Sequence, residues 1–272
     1  MGSGPVVLFV HGHPQFWWAW RHLLPPTAAA GYRAVAVDLR GFGASDKPPA
    51  GYDATTACDD LAAIIRSLGG DRAAIVGQGL GAWFAWSMPS HHPGVTAAIA
   101  PIGAPHPSVF HTAMWRHPLQ LRANGHLRGM QTPFASERQA PDVERRLRRW
   151  SGRDDGWLTA EMVDRYTEAM SVPFAGHAAA EYHRWYHRCL ITPSGWRYLR
   201  RVREPIDVPV LHVHGAQDPT ALPALAAESR RCTRGPLQTS EVPDVGHFVP
   251  EEAPDALAAL LIPWLAAAHP VT

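Results

Sequence analysis

The chain has 272 residues, enough for one large domain or for one domain carrying a long insertion. Hydrophobic residues make up 46% and charged residues 18%, a globular composition that excludes a disordered chain. A formal net charge of +1 gives no electrostatic ground for a nucleic-acid or acidic-membrane partner. No secretory leader opens the chain and no apolar run reaches about 18 residues, so a soluble cytoplasmic protein is expected. The cysteines Cys58, Cys189 and Cys232 are scattered without C-x-x-C spacing and fit packing positions in a reducing compartment.

In chain order, the pattern predicts a strand at Val6–Val10, a helix at Trp18–Ala30, a strand at Ala34–Asp38 and a helix at Thr55–Leu68. A strand at Ala73–Val76, a helix at Leu80–Ser90 and a strand at Ala97–Ile102 follow. The strands are apolar throughout, as in a parallel sheet covered on both faces, so the expected architecture is α/β. From about Pro107 to Glu204 strand signals vanish. Strand–helix alternation then resumes with Val208–His214, a helix near Leu222–Arg231, a strand near Leu237–Val242 and a final helix from Glu251. Residues 1–106 and 205–272 therefore read as one core, and 107–204 as a helical lid inserted into it. Arg145, Arg146, Arg148 and Arg149 within the lid, flanked by Glu144, Asp154 and Asp155, read as a solvated helix face.

The stretch Gly77-Gln78-Gly79-Leu80-Gly81-Ala82 joins a strand end to a helix start. As a dinucleotide fingerprint it lacks the acidic residue expected at the end of the next strand, which reads Ala100-Pro101-Ile102-Gly103-Ala104. As a nucleophile elbow, G-x-Nu-x-G, it fits at Gly77 and Gly81 but puts Gly79 in the nucleophile slot. Upstream, His11-Gly12-His13-Pro14 ends the first strand. In that frame the N–H groups of His13 and Leu80 form an oxyanion hole. His11 and His13 also form an H-x-H pair, but the sequence supplies no third metal ligand. Downstream, Asp218 follows one strand and His247 the last, the order of acid and histidine this elbow uses. The plainer readings are a turn cap for Asp218 before Pro219 and a packed loop histidine for His247.

In these residues the chain resembles the epoxide-hydrolase and haloalkane-dehalogenase branch of the α/β-hydrolase-fold superfamily. The likeness runs through His11-Gly12-His13-Pro14 with Trp17 and Trp20, and through Asp38-Leu39-Arg40-Gly41-Phe42-Gly43-Ala44-Ser45-Asp46-Lys47-Pro48. It continues through the elbow with Ala85-Trp86 and Ala104-Pro105-His106-Pro107, and closes on Asp218 and His247. The resemblance implies the α/β-hydrolase fold, a mostly parallel central sheet flanked by helices with an inserted helical lid. It also implies hydrolysis of an apolar small molecule without cofactor or metal. Members of that branch carry aspartate at the elbow and form an ester that a His–Asp pair hydrolyses; here Gln78-Gly79 replaces the usual His-Asp.

The branch protonates the leaving oxygen with two lid tyrosines. Met130-Gln131-Thr132-Pro133, set against the family's F-Q-x-P, puts His126 near the first position. Glu181-Tyr182-His183-Arg184 puts His183 at the second, with Tyr182 and Tyr186 close by. His183 and His187 also sit at i, i+4 without the glutamate of a zinc motif. The tryptophans Trp17, Trp18, Trp20, Trp83, Trp115 and Trp185 suggest an aromatic pocket, with Trp17, Trp20 and Trp83 the pocket residues proposed; they equally suit lid-to-core packing.

Glycine has no side chain to attack with, and losing a triad nucleophile costs on the order of 10⁶ in rate. The expectation is therefore an epoxide-hydrolase-like enzyme in which His247 and Asp218 activate water directly. The alternatives are a pseudo-hydrolase or ligand-binding protein, or a lyase or cyclase using the same pocket. The resemblance implies two further opening strands that the sequence lacks, which by analogy leaves the Ala34–Asp38 strand as an edge for a homodimer partner to cover; a missed start codon or a trimmed amino terminus is the plainer explanation.

Overall fold

The computed structural model describes residues 1–153 and 156–271, with the side chains of Trp115 and Pro223 also outside the description. Asp154 and Asp155 therefore lie outside the described residues, as does any pocket role for Trp115. The strands β1 (Val6–Val10), β2 (Arg33–Val37), β3 (Ala73–Gln78), β4 (Thr96–Ile102), β5 (Val210–Gly215) and β6 (Leu237–Val242) form one six-stranded sheet. Their order is β2-β1-β3-β4-β5-β6, and every pairing is parallel.

Side chains alternate between two cores because successive strand residues point to opposite faces. Leu8, Val10 and Ile75 enter one apolar cluster with α2 (Ala54–Ser67) and α3 (Leu80–His91). Val7, Phe9 and Val76 enter the other, beside Leu24 of α1 (Leu24–Ala29) and Leu257 and Leu261 of the carboxy-terminal helix Pro254–Ala268.

The chain leaves β1 toward β2 on one side, then crosses back to β3 and β4 on the other. The carboxyl ends of β1 and β3, paired through Val10 and Gly77, therefore border the point where strand order reverses. In open parallel sheets that is where a crevice forms. The segments carrying His11–His13 and Gly77–Gly81 meet there.

Between β4 and β5 run α4 (Pro107–Arg116), α5 (Pro118–Ala123), α6 (Gly125–Gly129), α7 (Val143–Trp150), α8 (Ala160–Ser171), α9 (Ala175–Arg188) and α10 (Pro193–Val202). After β5 come α11 (Pro223–Glu228), α12 (Val249–Glu252) and α13, the Pro254–Ala268 helix.

Two predicted helices are broken. Trp18–Ala30 resolves into a 3₁₀ turn at Trp17–Trp20 and the short α1, because Pro25 and Pro26 lack an N–H and are tolerated only in a first turn. The final helix divides at Ala253, where Pro254 opens α13. The strand β2 is the sheet edge, and Met1 covers part of it: the Met1 amino group donates to Ala34 O at 2.7 Å and Ala34 N–H donates to Met1 O at 2.9 Å. Among the described residues no helix is long and apolar enough to cross a membrane.

Candidate active site

The elbow has the geometry its glycines require. A Cβ on Gly77 would lie 2.2 Å from Gly81 O, and one on Gly81 would lie 2.1 Å from Val10 O, so side chains there would hold β3, α3 and β1 apart. Gly79 itself sits at φ 54° and ψ −110°, between the strand and the helix. Its position is that of a presented elbow residue with no side chain to present. A Cβ there would lie 3.0 Å from His247 Nε2, so the imidazole closes on the space a nucleophile's stem would fill.

His247 is wired on its far side. Its Nδ1 lies 2.8 Å from Asp218 Oδ2 and 3.0 Å from Thr220 Oγ1. Thr220 donates its own hydroxyl and its backbone N–H to Asp218 Oδ1, both at 2.7 Å. The threonine oxygen is thus left to accept, and the proton on His247 is held at Nδ1 with Nε2 unprotonated toward Gly79. Gly103 allows this approach: a Cβ there would lie 3.3 Å from His247 Nδ1 and 3.4 Å from Asp218 Oδ2.

The loop bearing His247 is fixed by three further contacts. Its N–H donates to Trp150 O at 2.7 Å, at the end of α7. Gln78 Nε2 donates to His247 O at 3.0 Å, tying the loop to the elbow strand. Glu252 accepts from the N–H groups of Gly152, Gly246 and Phe248, each at 2.8 Å. Burial raises the Glu252 carboxyl above its ordinary range against the pull of those N–H groups. Gln78, Thr220 and Glu252 are positioning residues that sequence reasoning missed, because their partners are backbone atoms or residues of another loop.

His11 spends both ring nitrogens on structure: Nδ1 lies 2.8 Å from Gly12 O, and Leu39 N–H donates to Nε2 at 3.1 Å. That occupancy leaves no lone pair for a metal. The His13 and Leu80 N–H groups, beside the cavity, meet no acceptor among the described residues. The Asp38–Pro48 segment serves as a brace, with Asp38 accepting from the N–H groups of Trp17 and Ala44 and Arg40 pairing with Asp60 through two hydrogen bonds.

A cavity of about 80 Å³ opens over this floor, room for several waters where one needs roughly 10–15 Å³. The helical insertion contributes Phe110, Asn124, His126, Leu127, Trp150, His183 and Tyr186 to it, and His13, Gly79, Thr220 and His247 lie opposite. His126 and His183 are both brought to the cavity, and burial lowers the affinity of each for a proton, His183 to about 4. The Nδ1–H of His183 donates to Ala179 O at 2.6 Å, so a neutral His183 can only accept from the cavity. Burial pushes the Tyr186 hydroxyl well above its ordinary range, so it keeps its proton.

Tyr182 is not brought to the cavity. It packs beneath α9 on Tyr52, Phe42 and Phe84, and its hydroxyl is buried without a partner. The three expected pocket tryptophans also lie elsewhere. Trp17 is 41% exposed, Trp20 packs on Phe9 in the core beneath the sheet, and Trp83 turns its indole N–H to Tyr198. Short spacing after the first strand put Trp17 and Trp20 near the site in sequence, but the 3₁₀ turn directs them outward and down. Trp18 stacks against Arg21 and Arg165, and Trp185 meets Tyr198 edge to face.

The tryptophan that does line the cavity is Trp150, 5.5 Å from His247 and 4.8 Å from His126 by ring centroids. Its signal was the apolar stripe Val143-Leu147-Trp150, at i, i+4, i+7, running through the arginine cluster.

Residues 5–254 match the family described as alpha/beta hydrolase fold. A protein named AB hydrolase superfamily protein YfhM, from Bacillus subtilis, is 30% identical over 97% of this chain and 91% of its own length. A protein named Epoxide hydrolase A, from Mycobacterium tuberculosis, is 26% identical over 97% of this chain and 91% of its own. The crystal structure of Epoxide Hydrolase A from Mycobacterium thermoresistibile superposes with a TM-score of 0.84 at 25% identity, covering 100% of this chain and 94% of that one.

Proposed function

This chain belongs to the α/β-hydrolase-fold family and is epoxide hydrolase-like, and we propose that it hydrolyses an epoxide or ester by direct attack of water, without a covalent aspartyl intermediate. The observation that carries the reading is the pairing of an empty elbow with a complete base. Gly79 offers no side chain, while His247 Nε2 faces its Cα with Nδ1 held by Asp218 and Thr220.

A water in the cavity donates one hydrogen to His247 Nε2 and accepts from one of the free N–H groups of His13 and Leu80, which leaves its second lone pair to attack. Its oxygen attacks the epoxide carbon and the C–O bond breaks. The water's proton passes to His247, and the leaving oxygen takes the proton of Tyr186, which solvent then restores from His247. For an ester, the same two N–H groups receive the developing oxyanion. Tyr186 suits the acid role better than His126 or His183, because burial favours a protonated phenol and disfavours imidazolium. Gln78 and Glu252 hold the base in register from behind, and the helical insertion acts as a lid that limits water.

The test is turnover of styrene oxide and p-nitrophenyl esters by the unaltered protein and by His247→Ala. Loss of turnover with His247 supports the reading; absence of turnover on both substrate classes overturns it. The missing nucleophile favours a second reading, a ligand-binding protein that kept the pocket. Ligand affinity unchanged in His247→Ala, together with no turnover, is its signature.

A further inference from the structure

The helix α7 carries four arginines, and they do not share an environment. Arg145 pairs with Asp142 and Arg148 with Glu144, both on the exposed side. Arg146 instead shares the inward face with Val143 and Trp150, three and four residues away. It is half-buried, and burial lowers its proton affinity to about 10. Among the described residues no carboxylate lies within ion-pair distance of it. Its one side-chain hydrogen bond is the 3.4 Å contact from Nη1 to His13 Nε2.

A half-buried guanidinium with spare N–H groups costs stability unless something pairs with it. The groups around Arg146 do not supply that partner. The His13 ring lies 5.0 Å from that of His183, which lies 6.3 Å from that of His126. The Nδ1 atoms of His13 and His126 are buried with no hydrogen-bond partner. Gln139, the amide facing His13, spends its Nε2 on Ala135 O, and its Oε1 is likewise unpartnered.

The position of Arg146 connects this cluster to the reaction. A second cavity of about 80 Å³, lined by Asp142, Arg145, Arg146 and Arg149, shares His126 and Trp150 as its wall with the catalytic cavity. Trp150 contacts both ends, its ring 5.7 Å from the Arg146 guanidinium carbon and 5.5 Å from the His247 ring. Arg146 meets the catalytic cavity through His13, which lines that cavity and lies 3.4 Å from the guanidinium.

We propose that Arg146 binds a carboxylate of the substrate, so that the preferred substrate is an apolar molecule bearing an acid group at the end away from its epoxide or ester. The guanidinium fork matches a carboxylate's two oxygens, and the surrounding ring N–H groups supply further donors. The proposal rests on the reading of this cavity as a substrate site, but its test requires no turnover.

Binding of 4-phenylbutyrate and of the neutral 4-phenylbutyramide is followed through intrinsic tryptophan fluorescence or calorimetry. The carboxylate is expected to bind about tenfold tighter than the amide, as a charge-assisted hydrogen bond provides. Arg146→Gln should abolish that preference while the amide's affinity holds, and Arg146→Lys should keep part of it. Equal affinities in the unaltered protein, a preference that survives in Arg146→Gln, or binding of neither probe would each overturn the proposal. The first comparison needs no variant, so a misfolded Arg146→Gln leaves the question decidable. Failure to hydrolyse neutral epoxides would count against the catalytic reading and not against this one.

Discussion

The floor and the roof of the cavity are built on opposite principles. On the floor, His247 Nδ1 has two partners, Asp218 has three hydrogen bonds, and the backbone on either side of the base is tied down. On the roof, among the described residues, His126 Nδ1 has no partner, His183 is locked in the tautomer that can only accept, and Arg146 has one side-chain hydrogen bond, to His13. A satisfied network fixes geometry, which proton transfer requires; unsatisfied donors and acceptors await a ligand. On the proposed function, the floor serves the chemistry and the roof serves recognition.

The sharpest way to break this contrast is to damage the floor. Asp218→Asn is expected to lower kcat about 10⁴-fold by releasing the tautomer of His247, measured as steady-state hydrolysis of an epoxide. His247→Ala should lower it by at least about 10²–10³. A roof substitution, Arg146→Gln, should instead raise KM for acidic substrates with a smaller change in kcat.

Acid should destabilise the whole fold through its buried histidines. His106 and His212 are held neutral to about 3, and His111 and His183 to about 4, in each case chiefly by burial. Unfolded histidine titrates near 6.5. The unfolded chain therefore binds more protons between these values, so stability is full above about pH 6.5 and falls as pH drops toward 4. Urea denaturation at pH 7.5 and pH 5 should differ by several kcal/mol, on the scale of about 1.4 kcal/mol per histidine per pH unit below 6.5.

Gly79 is the point where the floor leaves no room for a side chain. Gly79→Ala should cost about 1–3 kcal/mol, because an L residue must adopt φ 54° with its Cβ 3.0 Å from His247 Nε2. Thermal unfolding measures it, and the methyl should also lower kcat by occupying the water's place. Gly79→Asp should therefore need movement of His247. Adding Gln78→His would also replace the amide that holds His247 O. The smallest effect is expected for Gln78→Leu, about tenfold or less in kcat with KM unchanged.

The floor was legible in the sequence because its parts are short motifs at strand ends: Gly77 to Gly81, His11 to Pro14, Asp218 and His247. Periodicity gave the parallel sheet, since buried parallel strands are apolar on both faces. The roof was less legible. Arg146 and Arg145 are adjacent letters in one basic run, and only the helical stripe through Trp150 separates the inward one. Tyr182 and His183 are likewise neighbours: the motif alignment put His183 at the lid position, and it turns to the cavity, while Tyr182, named only as close by, turns to Tyr52. Trp17 and Trp20 lost their expected place to the 3₁₀ turn at Trp17–Trp20, which directs one to solvent and the other into the core.

The central claim is that water, not a protein carboxylate, supplies the new oxygen. A single-turnover reaction in ¹⁸O-water, with protein in excess over an epoxide substrate, tests it directly. Direct attack predicts that the diol formed in the first turnover carries one ¹⁸O atom. An unlabelled first-turnover diol would mean that the oxygen came from a side chain, and would contradict the account.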